Sequence, residues 1–108
     1  MIRIGKGKYH IIEYKGHKLD VMATEYIGGK RTALTAQIHK TGEPFAVLTV
    51  NLPAYDRDLP DKNLIILDTN NVPDIVSTLL DAGLVEIPEQ IMRLQSGFCV
   101  YPVLRWIG

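Results

Sequence analysis

A chain of 108 residues, 46% apolar and 22% charged, has the composition of one globular domain, able to bury a core without metal or disulfide staples. Its one cysteine, Cys99, excludes an intrachain disulfide and suits a reducing compartment. The opening MIRIGKGKYH has bases with no apolar run behind them, and Leu64–Leu67 is too short to cross a bilayer, so the expectation is a cytoplasmic protein with no leader and no membrane contact. Net charge is zero but unevenly spread: residues 1–40 carry eight Lys or Arg against three Asp or Glu, and residues 41–108 carry four against nine. Such asymmetry marks either a partner-binding face or a solvated sheet surface.

Taken in chain order, KYHIIEY (8–14) is rich in β-branched and aromatic residues and predicts a strand. Lys15-Gly16 can turn, and HKLDVMATEYI (17–27) continues as a second strand. Gly28-Gly29 predicts a tight hairpin, because glycine accepts positive φ without a Cβ clash. In the strand from Arg31 to His39, Thr32, Leu34, Ala36 and Ile38 alternate with Ala33, Thr35, Gln37 and His39, the period of a half-buried strand. Thr41-Gly42-Glu43-Pro44 closes another hairpin, and the nearly apolar FAVLTVN (45–51) predicts a central strand covered on both faces.

LPAYDRDLPDK (52–62), with two prolines and four charges before Lys62, predicts a loop. NLIILD (63–68) predicts a short buried strand. Val72, Ile75, Val76, Leu79 and Leu80 fall on one helical face. Asn70 or Asn71 can cap that helix, Pro73 suits its first turn, Asp74 favours the positive end of its dipole, and Gly83 stands where a left-handed C-terminal residue is expected. Leu84-Val85 returns to the core, Pro88 to Arg93 reads as an irregular connection, and FCVYPVLRW (98–106) is the last strand. There Pro102 predicts an edge or a bulge. The fold class expected is α+β: one domain over residues 1–108, an antiparallel meander of about five to six strands with one amphipathic helix on one face.

The second half resembles a small family of uncharacterised domains encoded by bacterial phages, plasmids and conjugative elements. The resemblance covers roughly residues 15–106 and is carried by LTVNLP (48–53), DAGLVE (81–86), SGF (96–98) and YPV (101–103). It implies no catalytic residues. It implies a setting, that of accessory proteins which bind host or defence components.

No glycine-flanked serine elbow, telling acid pair or glycine-rich phosphate loop is present. Cys99 in FCVYPV has no sequence neighbour to depress its pKa and reads as a small apolar side chain. His10, His17 and His39 lack the helical spacing and the cysteine pairs of a zinc site. No enzyme activity, metal or cofactor is therefore expected. Lys15, Lys18, Tyr26, Lys30 and Arg31 interleave bases with an aromatic, the mixture that phosphate contact plus base stacking requires. Tyr55 and Arg57 lie in a mobile-looking loop, and Arg105 and Trp106 end the last strand; Tyr, Trp and Arg are the residue types of interface hot spots, although a tryptophan there is more often a core anchor that closes the sheet. The expectation is a non-catalytic binding protein that blocks a host or defence protein or sequesters a small ligand, with an edge strand open to homodimer pairing. The alternative is a small nucleic-acid-binding module using the basic first hairpins.

Overall fold

The computed structural model describes residues 2–3, 9–26, 31–59 and 61–108. The expected Gly28-Gly29 turn, Lys8 and Lys30 lie outside the described residues. The first sheet holds β1 (Ile2–Arg3), β2 (His10–Tyr14), β3 (His17–Tyr26), β4 (Thr32–Ile38) and β5 (Pro44–Val47), in the order β1-β3-β4-β5 with β2 also on β3. From β2 to β5 it is the expected antiparallel meander. Lys15 (φ 47°) and Gly16 (φ 82°) are both left-handed, the twist-matched form of a two-residue hairpin. Gly42, at φ 76°, turns β4 into β5.

A second, separate antiparallel sheet replaces the rest of the expected single meander, so the α+β class stands but the strands outnumber the five to six expected. This sheet contains β6 (Leu64–Ile66), β7 (Val85–Glu86), β8 (Met92–Ser96) and β9 (Cys99–Trp106). Strand β9 is central: Val103 pairs with Ile66 on one side and with Met92 on the other, and Trp106 pairs with Val85 of β7. The segment expected to be irregular up to Arg93 thus ends in a strand, and Gly97 (φ 62°) and Phe98 close its hairpin to β9.

Two expectations fail for an instructive reason. FAVLTVN is not a central strand. Its first half is the edge strand β5, with Val47 exposed. Its second half crosses to the other sheet: the Leu48 N–H donates to Leu34 O (2.8 Å), Leu48 O accepts from the Asp68 N–H (2.9 Å), and the Val50 N–H donates to Ile66 O (2.9 Å). The run is apolar because Leu48 lies fully buried between the two sheets. Pro102 does not place β9 at the edge of its sheet either. Its carbonyl accepts from the Leu67 N–H (3.1 Å), so its missing donor would face Leu67 O; that oxygen accepts from the Thr69 N–H instead (3.0 Å). Proline is tolerated because β6 ends there and no ladder bond is lost.

The main core lies between the sheets. Leu19, Val21, Leu34 and Ala36 of the first sheet meet Ile65, Leu67, Leu104 and Trp106 of the second. Helix α1 (Ile75–Asp81) adds Ile75 and Leu79, each contributing about 1.5–3 kcal/mol by burial. The helix is shorter than its apolar spacing suggests. Asp74, its N-cap residue, is left-handed (φ 66°), which breaks the helical path after Val72, and neither Asn70 nor Asn71 caps it. Asn71 instead donates through its main chain and side chain to the Asp68 carboxylate. At the other end Gly83 (φ 71°) behaves as expected: its N–H donates to Leu80 O and the Leu84 N–H to Leu79 O, a Schellman ending. A smaller core of Leu59, Leu64, Ile66, Leu94 and Val103 lies on the opposite face of the second sheet, packed with Leu52 and Tyr55. Strand β6 is therefore buried on both faces, as its unbroken apolar run requires.

Candidate functional site

Of the nine residues singled out from sequence, the eight among the described residues do not converge. Three of them are interior. Arg31 is 7% exposed; its guanidinium donates to Leu59 O and Leu64 O at 2.8 Å each, to Asp61 O at 3.2 Å and to the Asp56 carboxylate at 3.3 Å. It ties the 52–62 loop to the first sheet and has no face left for a phosphate. Tyr26 is buried, and its hydroxyl shares a 2.7 Å hydrogen bond with Thr49 Oγ1. Burial pushes its phenol above the ordinary value, against the lowering effect of the Thr49 bond, and the negative Asp68 adds to the rise. Trp106 belongs to the main core, edge-on to the His10 ring at 5.5 Å. The expectation of surface contact is corrected for Arg31 and Tyr26, and of the two readings of Trp106 the core anchor is the one found: each side chain spends its polar or aromatic capacity inside the fold.

Arg105 is held between Asp61 and Glu86, at 3.4 Å from each. The Tyr55 hydroxyl donates to Gln95 O at 2.6 Å while its ring packs in the smaller core, so the loop is pinned at this point. Arg57 is exposed on the same loop. Lys15 lies 3.7 Å from Asp74 and over the Tyr14 ring. Lys30 lies outside the described residues.

Lys18, by contrast, lines a depression. The β2–β3 turn and the β4–β5 turn lie at the same end of the first sheet. Between them Gly16, His17, Lys18, Ile38, His39 and Lys40 line a shallow, open basin of about 630 Å³. The His39 N–H donates to Lys18 O (3.0 Å), and His39 Nδ1 is hydrogen-bonded to Asp20 at 2.6 Å. Glu13 stands opposite Lys18 in the register. The basin can hold an anion loosely, since the nearby carboxylates offset part of its charge. In the sequence His39 reads only as a possible metal ligand, and His17 as that or as part of the basic first hairpins, with nothing to join the two. The signal that finds this basin is the Lys and His residues beside both turns at one sheet end, Lys15, His17 and Lys18 at one and His39 and Lys40 at the other.

Apolar side chains form a second exposed surface. Phe98 (106% exposed) tips the β8–β9 hairpin, Val100 (53%) follows it, and Ile87 (62%) and Ile91 (73%) lie on the connection from β7 to β8. Along β9, Leu104 and Trp106 face the main core, and Val100 shares their face by the period of two. It lies beyond the cover of the first sheet. Cys99 is half-buried; its thiol is the main influence pushing the Tyr101 hydroxyl further from ionisation. Among the described residues no group of three or more His, Cys, Asp or Glu could hold a metal ion. No helix among them is long and apolar enough to cross a membrane.

A family model described as a domain of unknown function (DUF4313) matches residues 18–106, nearly the span over which the sequence resembles an uncharacterised family. No curated protein and no solved structure matches the chain.

Proposed function

The chain belongs to the DUF4313 family, and on that footing we propose that it is a non-catalytic binding domain of a bacterial phage or plasmid that blocks a host or defence protein in the host cytoplasm. The observation that carries this reading is the bare apolar hairpin: Phe98 and Val100 lie outside both cores. An aromatic at the tip of a strand pair anchored in a central strand costs little entropy to place in a partner's pocket. The mobile-element setting rests on the resemblance of the LTVNLP, DAGLVE and YPV segments. The test is affinity capture from lysate of the bacterium that carries the gene, comparing the native chain with Phe98→Ser/Val100→Ser. Native-specific retention of one host protein is expected. Equal retention by both, or none by either, removes the reading.

The basic basin favours a second reading, a small nucleic-acid-binding module. Arg31 is not available to it, so its proper variant is Lys18→Ala/Lys40→Ala. A gel shift at low salt should then weaken, and the dependence on log salt should flatten by roughly one unit for each phosphate no longer neutralised. No shift by the native chain on single- or double-stranded DNA or RNA eliminates this reading.

A further inference from the structure

The basin at the end of the first sheet draws its cations from more than one side of that sheet. Strands β3 and β4 set Leu19 opposite Ile38, and both side chains turn toward the main core. One step outward the His39 N–H donates to Lys18 O at 3.0 Å, so Lys18 and His39 stand opposite each other, with Asp20, on the outer face. His17 pairs with the buried Tyr14 and shares the inner face with Leu19; its ring stands 5.3 Å from that of Phe45. Lys40 follows in the β4–β5 turn. These four side chains, with Gly16 and Ile38, wrap the basin of about 630 Å³ around the sheet end. Lys18 and Lys40 are both exposed, and neither is in an ion pair among the described residues. Asp20, only 9% exposed, holds His39 Nδ1 at 2.6 Å and leaves Nε2 as the ring's remaining polar atom.

We propose that this basin is a site for one phosphate monoester group, the terminal phosphate of a small molecule or of a 5′-phosphorylated strand. The proposal uses the basin but does not rest on the nucleic-acid reading, which needs a continuous backbone there. Cations on two sides of a sheet end suit an anion with oxygens on all sides. A terminal phosphate has three free oxygens and a charge of about −1.5 to −2 near neutral pH, whereas a carboxylate has two oxygens in one plane. Carboxylates also bound the site. Glu13 stands opposite Lys18 on β2, Asp20 lies behind His39, and Glu43, whose carbonyl accepts from the Ile38 N–H (2.8 Å), ends the turn that holds Lys40. Beyond the other turn Lys15 is engaged by Asp74 at 3.7 Å. A backbone of successive phosphates leaving the two lysines across β2 or along the β4–β5 turn meets like charge. A single terminal phosphate stops short of it.

The test is an amide NMR titration of the full chain with inorganic phosphate and with adenosine 5′-monophosphate, at a pH of about 7.5, where both are largely dianions. Sodium acetate at matched ionic strength is the control. Expected are saturable shifts confined to residues 16–18 and 38–40, with a dissociation constant on the order of 1 mM, and none with acetate. Lys18→Gln and Lys40→Gln should each weaken binding about threefold or more, the size of an exposed charge contact, and Glu13→Gln should tighten it. Unchanged Leu34 and Ile65 amide signals show that each variant is folded. A 5′-phosphorylated oligonucleotide separates the two sources: tighter binding than the monophosphate marks a strand end, and weaker binding marks a small molecule. Shifts that rise linearly with phosphate or match those with acetate overturn the proposal, as do lysine variants that bind like the native chain. So does a 5′-hydroxyl oligonucleotide that binds as tightly as the phosphorylated one, a result that would give the basin to the backbone instead.

Discussion

Replacing Arg31 with methionine removes the charge and the fork of donors while filling much the same space. Two of its bonds, to Leu59 O and Leu64 O, are short at 2.8 Å and buried; hydrogen bonds to a charged group are each worth about 1.5–3 kcal/mol. The methionine also relieves the cost of burying a charge, which offsets part of the loss. The two longer bonds, to Asp61 O and Asp56, are only partly buried and add little. The net cost expected is about 3–5 kcal/mol, much of the roughly 5–15 kcal/mol that holds a typical domain together. For a chain of this size that lowers the melting temperature by roughly 15–30 °C. Urea titration followed by the fluorescence of Trp106, the chain's only tryptophan, measures it. Arg31→Lys should fall between native and methionine, because one ammonium cannot reach carbonyls on both sides of the loop. A loss under about 1 kcal/mol for methionine, or a lysine variant equal to the native chain, would refute the view of Arg31 as the tie between loop and sheet.

Tyr26→Phe should cost about 1 kcal/mol near neutral pH through loss of the Thr49 bond. Burial raises the folded pKa of Tyr26 above its ordinary 10.0, so its share of stability is complete below that pH and drains away as pH rises through the folded value, where the unfolded chain alone has ionised. Urea midpoints taken across the alkaline range should therefore fall less steeply for Tyr26→Phe than for the native chain; parallel slopes would sink the assignment. Pro102→Ala should change stability by less than about 1 kcal/mol, because the new N–H meets an oxygen already bonded to Thr69. A loss above about 2 kcal/mol in the same titration would mean that proline rigidity, not the end of β6, decides that position.

The local grammar of the chain was readable. The alternation in Thr32 to Ile38, the Lys15-Gly16 turn and the left-handed Gly83 each depend on neighbours a few residues away. What depended on distant residues was not. FAVLTVN is apolar because two sheets cover it in turn, and a central strand would produce the same run. The strand from Met92 to Ser96 went unrecognised, with Arg93 read as the end of an irregular connection, because its outward positions are polar, though Leu94 packs into the smaller core. The candidate residues fared likewise: Arg31 is a surface type by composition and Tyr26 sits among bases in sequence, and only carbonyls and a hydroxyl brought from elsewhere in the chain make them interior; the burial of Trp106 was the commoner fate of its type. The basin was missed because its two walls, Gly16 to Lys18 and Ile38 to Lys40, are far apart in sequence and meet only through the register that sets Leu19 opposite Ile38.

Residues 48–50 set a limit on how this chain can vary. The main chain there is bonded to β4 on one side and to β6 on the other within three residues, so the distance between the sheets is fixed by a count of residues as much as by side-chain volume. One residue added or removed at this crossing would shift the register of one sheet against the other and turn Leu48 away from the core. The turns at 41–43 and 97–98 carry no such constraint, and length changes among relatives should gather there. The same crossing couples the two sheets mechanically: neither can open without breaking bonds that hold the other, so hydrogen exchange at Leu48 and Val50 should be as slow as global unfolding itself.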